Sequence, residues 1–283
     1  MIKCSTVSEE TRSASVWQHE VLRYNADSAL ADQDDISVEE PLEILIAQPD
    51  SDSIPVAVTM RTPGNDPELA IGFLFTEGII HDASAVDRIL CNDKCNVVTV
   101  HLKRDVKVDS SVLDRHSFVA SSCGVCGKRS IAAVRVKRNF QCHQDVPRAT
   151  PQLIQGLPSA LLRHQSEFNR TGGTHASCLF DAEGNLLDLR EDIGRHNALD
   201  KVLGNMFLSH QMPLTNHILL VSGRASFELV QKAAHAGLPV LVAVGAPSSL
   251  AVQLAAECDM TLIGFVRNDR FNIYTGAHRI YDN

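Results

Sequence analysis

Apolar and polar positions change rhythm midway along the chain, and the change separates two kinds of architecture. Pro41 to Gln48 and Val56 to Thr62 are short runs rich in Ile, Leu and Val, separated by Pro49-Asp50-Ser51-Asp52-Ser53; they predict two strands joined by a turn. Asp66-Pro67 predicts a helix start, because proline in the first helical turn loses no hydrogen bond. Glu68 to Glu77 continues that helix and Gly78 stops it. Asn96 to Leu102 and a shorter segment near Val106 return to strand. This half predicts a small α+β domain over residues 36–120. Residues 1–35 are polar and aperiodic, and predict a loose arm or an edge strand.

In the second half, short apolar runs alternate with helical periodicity. Thr174 to Phe180 and Asn185 to Glu191 predict a hairpin around Asp181-Ala182-Glu183-Gly184. Ala198, Leu199, Val202, Leu203, Met206 and Phe207 then form one continuous helical stripe of core residues. His217 to Val221, Val240 to Val244 and Thr261 to Val266 predict buried strands. Between them run two helices, Phe227 to Ala236 with Ser226 as N-cap and Gly237 as stop, and one capped by Ser248 that ends near Glu257. Repeated strand-helix-strand units predict a mainly parallel sheet with helices on both faces, over residues 151–283. Residues 121–150 are expected as a loop and linker between the halves.

Composition narrows the function classes. Of 283 residues, 44% are hydrophobic and 21% charged, the balance of a globular protein. No apolar run reaches the roughly 20 residues that cross a bilayer, and the first 20 residues lack a secretory apolar core. The expectation is a cytoplasmic protein with no membrane contact. With 26 Lys and Arg against 34 Asp and Glu, the net charge of −8 argues against general nucleic-acid affinity. Eight cysteines in a cytosolic chain are expected as free thiols.

Two of these thiols carry the most distinctive chemistry, in Ser121-Ser122-Cys123-Gly124-Val125-Cys126-Gly127-Lys128. The thiolate is the species that attacks a disulfide or persulfide, and Lys128 and Arg129 favour it. Gly124 and Gly127 predict an accessible loop. Four readings compete: a sulfur-transfer nucleophile, a redox dithiol, half of a zinc site completed by Cys91 and Cys95, and two buried thiols. A redox dithiol belongs beside a strand-helix-strand unit, which the mixed polar stretch Val112 to Ala120 does not supply. A zinc deaminase needs H-x-E and a proline before its C-x-x-C; no H-x-E occurs, and Ser122 stands in the proline's place.

A ligand site is expected where the predicted sheet strands end, since open α/β sheets bind ligands beyond their carboxyl ends. Ser222-Gly223-Arg224, Gly245-Ala246-Pro247-Ser248-Ser249 and Arg267-Asn268-Asp269-Arg270 follow three such ends. Arg224, Arg267 and Arg270 can each grip phosphate bidentately, whereas any one arginine alone reads as a solvated or paired surface charge. Thr171 to His175 and Glu191 to Asn197 add His175, His196, Asp192 and Arg195 as candidate lining, with Asp192 alternatively a helix cap and either histidine a structural residue.

Taken together, S-C-G-V-C-G, T-G-G-T-H-A, E-D-I-G-R-H-N-A-L-D-K, V-S-G-R-A-S-F-E-L-V-Q-K and L-T-L-I-G-F resemble the FdhD/NarQ family, the formate dehydrogenase accessory sulfurtransferases, from about residue 36 onward. The resemblance implies a three-layer α/β/α domain of cytidine-deaminase type without zinc, preceded by a smaller α+β domain. It implies sulfur received from a cysteine desulfurase and passed to the molybdenum cofactor in its bis-guanine-dinucleotide form, on which formate dehydrogenase depends. Cys123 would bear the persulfide and Cys126 assist. Phe265, Val266, Arg267, Asn268, Asp269 and Arg270 would bind the nucleotide end, with Ser222, Arg224 and His175 beside them and GDP as a mimic. Asn268-Asp269 departs from the Pro-Gly of the family member compared. A homodimer is the family expectation. The alternative is a chaperone that binds the cofactor without transferring sulfur.

Overall fold

The computed structural model describes residues 3–6, 15–25, 28–92, 96–106 and 146–281. In chain order the first half holds strands β1 (Lys3–Thr6), β2 (Val16–Asn25), β3 (Ser28–Ser37), β4 (Glu40–Ala47) and β5 (Ile54–Arg61), then helix α1 (Asp66–Thr76) and strands β6 (Val86–Asn92) and β7 (Val97–Leu102). The second half holds helices α2 (Pro151–His164) and α3 (Ser166–Thr171), strands β8 (His175–Phe180) and β9 (Leu186–Asp192), and helix α4 (Arg195–Leu208). It closes with β10 (Ile218–Val221), α5 (Phe227–His235), β11 (Val240–Ala243), α6 (Ser249–Glu257), β12 (Thr261–Gly264) and β13 (Asn272–Thr275). None of the described helices is long and apolar enough to cross a membrane.

The first sheet has the order β1-β6-β7-β4-β5 and the second β13-β12-β11-β10-β8-β9. In the second, alternate residues of β10 enter different cores. Leu219 and Val221 join the helices α4, α5 and α6, while Ile218 and Leu220 join Ile154, Leu157 and Leu161 of α2. Helices therefore cover both faces, as predicted. The sheet is not mainly parallel, however. Only β10/β11 and β11/β12 pair parallel; the hairpin β8/β9 and the returning strand β13 make the flanks antiparallel.

Four further differences are local. The N-terminal arm, expected as a loose arm or an edge strand, places β1 at the edge of the first sheet, while β2 and β3 form an antiparallel ribbon of ten residue pairs; most of both faces of that ribbon are exposed, so no apolar alternation marks it. The register of β6 shifts between Val86 and Arg88, which breaks the period-two pattern and hides that strand in the sequence. Near Val106 there is a turn in place of a strand, with Val106 N–H donating to Lys103 O at 3.2 Å. Helix α2, absent from the sequence reading, had its signals in Thr150, whose hydroxyl accepts from Leu153 N–H, and Pro151. Gly156 and Pro158 within it interrupt an otherwise helical pattern.

The stripe of α4 is core, as predicted, but α4 is buried on more than one side, because α1 crosses it opposite the sheet. The crossing is close. A Cβ on Gly72 would stand 1.8 Å from Asp200 O, and one on Gly204 would stand 1.8 Å from Glu68 O. No side chain fits between these backbones. Gly72→Ala and Gly204→Ala are each expected to lower stability by about 3 kcal/mol through forced separation of the helices, measured by urea unfolding at constant m-value. Unfolding midpoints equal to the wild type's would contradict this packing.

Buried polar contacts tie the two sheets together at the same place. Lys201 Nζ bonds Asp192 Oδ2 at 2.8 Å and Thr62 O at 2.9 Å, while Thr62 N–H donates to Asp192 Oδ2 at 3.2 Å. Asn197 Nδ2 donates to Met60 O at 2.7 Å. These bonds hold the end of β9 and the start of α4 against the strand that follows from the first sheet.

Candidate functional site

The chain leaves β10, β11 and β12 on one side of the second sheet, and the three following loops are joined through their backbones. Gly245 N–H donates to Gly223 O at 2.9 Å, and Phe265 N–H donates to Gly245 O at 3.1 Å. Ala225 N–H donates to Ala246 O at 3.1 Å, and Ser248 N–H to Ala225 O at 3.0 Å. Gly245 permits this approach, since a Cβ there would meet the Arg224 backbone at 3.0 Å. The loops are thus one platform, built of main chain, from which the polar side chains project.

Because β8 runs antiparallel to β10, its first residue, His175, lies beside the same end. Ala176 N–H donates to Ser222 Oγ and Ser222 N–H to Ala176 O, both at 2.9 Å. A Cβ on Gly223 would stand 3.3 Å from His175 Nδ1. Burial first, then Arg195 and His196, hold the His175 imidazole below its ordinary pKa, with Asp192 opposing them. His175 is therefore a neutral donor and acceptor at pH 7.

The structure brings the expected nucleotide segment together with these groups but gives its residues unequal parts. Phe265 leaves β12 in the left-handed region, φ 54°, and the residue is 43% exposed. That conformation is uncommon for a bulky side chain and ends the strand at Gly264, two residues before the predicted end. Val266 is wholly buried and its N–H donates to Ala243 O at 3.2 Å, so it supports the loop from within the core. Arg267 turns back on the platform, donating to Val244 O at 2.8 Å and Val266 O at 2.7 Å. Asn268 Oδ1 accepts from Ser159 Oγ at 3.0 Å, which ties the loop to α2. Asp269, Arg270 and Arg224 are exposed, and neither Arg224 nor Arg270 has a carboxylate partner among the described residues.

Asp192 and Ser226 are structural. Asp192 is fully buried, pairs with Lys201 and accepts from Gly194 N–H at 2.8 Å; the N-cap of α4 is Gly194. Ser226 caps α5, accepting from Leu229 N–H. His196 Nε2 lies 2.8 Å from Glu228 Oε2 and 3.3 Å from Ser226 Oγ. Tyr274, which the sequence reading missed, stands at the β12 end; its Cε2 would be 3.0 Å from a Cβ on Gly264. No motif announces it, because a β13 paired antiparallel to β12 is what brings it there.

Cys123 and Cys126 lie outside the described residues, as does Cys95. Cys91 is buried, and among the described residues no three His, Cys, Asp or Glu side chains gather as a metal site. Cys178, buried in the second sheet, has its thiol pushed well above its ordinary pKa by burial, then by Asp188 and Glu191. It is an inert core thiol.

The family model described as FdhD/NarQ family matches residues 37–281. A protein of Streptomyces avermitilis named sulfur carrier protein FdhD is 46% identical over 272 residues, covering 93% of this chain and 95% of its own. Proteins of the same name from Mycobacterium tuberculosis and Saccharolobus solfataricus are 45% and 39% identical, covering 92% and 94% of this chain and 96% and 98% of theirs. A crystal structure of a candidate formate dehydrogenase accessory protein from Desulfotalea psychrophila superposes with a TM-score of 0.73 at 23% identity, covering 95% of this chain and all of that one. That likeness is one of fold.

Proposed function

The chain belongs to the FdhD/NarQ family, and from that premise we propose that it is a sulfur carrier that serves formate dehydrogenase through its molybdenum cofactor. The observation that carries the reading is the platform at the ends of β10, β11 and β12, where Arg224 and Arg270 project without carboxylate partners among the described residues. Guanidinium groups with free donors suit phosphate oxygens. The dinucleotide form of the cofactor is the substrate here, and its phosphates and guanine are what these residues would bind. The layering around that platform is read as the cytidine-deaminase kind, put to a different use.

The sulfur step belongs to the Cys123 thiolate. It attacks the outer sulfur of a persulfide on a cysteine desulfurase; the donor's S–S bond breaks, the donor leaves as a thiolate, and Cys123 holds the new persulfide. No external oxidant is consumed. Cys126 thiolate can then displace hydrosulfide from Cys123, forming a disulfide that a thiol reductant reopens. Binding of the nucleotide end fixes the acceptor near the sulfur, converting a two-body encounter into a positioned one.

The nucleotide half of this reading is tested by titrating GDP into the full chain by calorimetry. Arg270→Ala is expected to weaken GDP about tenfold, the worth of one charge-assisted hydrogen bond. Equal affinity of variant and wild type would remove Arg270 from the site, and no GDP heat at all would remove the nucleotide.

A further inference from the structure

The ribbon of β2 and β3 meets the rest of the protein mainly through α3, a helix of six residues. Asp35 Oδ2 accepts from Arg170 Nε at 3.1 Å and Nη2 at 2.9 Å, and Ser37 Oγ lies 2.6 Å from Thr171 Oγ1. A Cβ on Gly173 would stand 2.7 Å from Ser37 Oγ, so the ribbon root and the helix end are in close contact. Beyond that root both strands run largely exposed to Asn25 and Ser28. A two-stranded ribbon has little stability of its own, so this contact decides how firmly it is held.

Glu167, the second residue of α3, lies under the root. The ribbon side supplies Ser15, whose hydroxyl donates to the Glu167 carboxyl group. The oxygen Oε2 is shut off from solvent and has no hydrogen-bond partner. Beside it stands Glu191 of β9, whose oxygens are already taken, accepting from Glu167 N–H at 3.0 Å, Phe168 N–H at 2.8 Å and Thr174 Oγ1 at 3.0 Å. Lys201 of α4, the nearby cation, is bound to Asp192 at 2.8 Å, and Arg170 to Asp35. Burial first, then Glu191 and Asp192, hold the Glu167 carboxyl above its ordinary pKa against the opposing pull of Ser15 and Lys201.

We propose that Glu167 is a proton-operated clasp: with its carboxyl neutral the ribbon root lies closed on α3, and loss of that proton to solvent frees the root and lets the ribbon swing. A carboxylate with one sealed, unpaired oxygen costs more to keep buried than the neutral acid does. A cover that raises the pKa of the group beneath it is, by linkage, weakened when that group ionises. The closed state has the higher pKa, so closure is complete at low pH and is lost as the pH rises through the closed-state value.

The test is the fluorescence anisotropy of Trp17, the chain's one tryptophan, which lies in β2 near the root. It is followed in the full chain from about pH 4 to about pH 8. Wild-type anisotropy is expected to fall, with a midpoint above the ordinary glutamate value, while far-UV circular dichroism stays constant. Glu167→Gln, which keeps the shape and cannot ionise, is expected to hold the low-pH anisotropy throughout. Because the His19 ring lies 4.6 Å from that of Trp17, centroid to centroid, His19→Gln is titrated as well and is expected to keep the fall. An unchanging wild-type anisotropy, an equal fall in Glu167→Gln, or a fall that His19→Gln removes would each overturn the clasp, as would loss of helical dichroism along with the fall.

Discussion

Lys232→Met is expected to cost about 3–5 kcal/mol of stability, because it leaves buried carboxylates without their cation. Lys232 Nζ lies 2.9 and 2.8 Å from the two Asp200 oxygens and 2.8 Å from Thr76 Oγ1, with Glu77 at 3.7 Å. Thr76 Oγ1 also donates to Asp200 at 2.9 Å. Burial alone would lower the Lys232 pKa, but Asp200 and Glu77 outweigh it and hold the ammonium above its ordinary value. The cluster joins the C-terminal end of α1 to α4 and α5, so its loss loosens the first sheet from the second. The double variant Asp200→Leu with Lys232→Met is expected to recover much of the loss, since removing both charges removes the desolvation penalty. Urea unfolding at pH 7 measures both. A single variant within about 1 kcal/mol of wild type would show that the pair is not closed as described.

Cys123→Ala is expected to abolish activation of formate dehydrogenase, because the alanine methyl group cannot form a persulfide and no downstream positioning compensates for absent cargo. Cys126→Ala is expected to keep persulfide formation and to impair release, which separates the roles of the two thiols. The measurement is formate dehydrogenase activity in a host lacking its own carrier and supplied with each variant. Activity equal to wild type with Cys123→Ala would support the cofactor-binding chaperone in place of the carrier. Cys91, Cys178 and Cys258 offer no substitute, since all three are buried.

What the sequence made legible follows from where burial leaves a pattern. Strands β10, β11 and β12 are buried on both faces and read as short continuous apolar runs, and the helices after the first two start at the expected cap residues, Ser226 for α5 and Ser248 for α6. The ribbon of β2 and β3 buries little on either face, so nothing in its side chains announced it. The antiparallel pairing of β8 with β10 was equally invisible, because a strand buried on both faces looks the same in either direction, and β13, mostly exposed, left no apolar run to read.

The site divides along the same line. Strand-end loops could be located from the order of elements alone, and they do meet. Which arginines remain free could not, because pairing is decided by distant residues. Arg267 looked like a phosphate grip, yet it donates to Val244 and Val266 carbonyls. Asp192 was a candidate for the cavity lining or for the helix cap, yet it is buried against Lys201 and the cap of α4 is Gly194.

The central claim is that one thiol of the C-x-x-C holds sulfur in transit. It is tested most directly by incubating the full chain with a cysteine desulfurase and cysteine, then mapping the added mass by tandem mass spectrometry under non-reducing conditions. The account predicts one extra sulfur atom on the peptide bearing Cys123, lost on treatment with a thiol reductant and absent in Cys123→Ala. An unmodified Cys123, or an adduct that persists on that loop in Cys123→Ala, would contradict it.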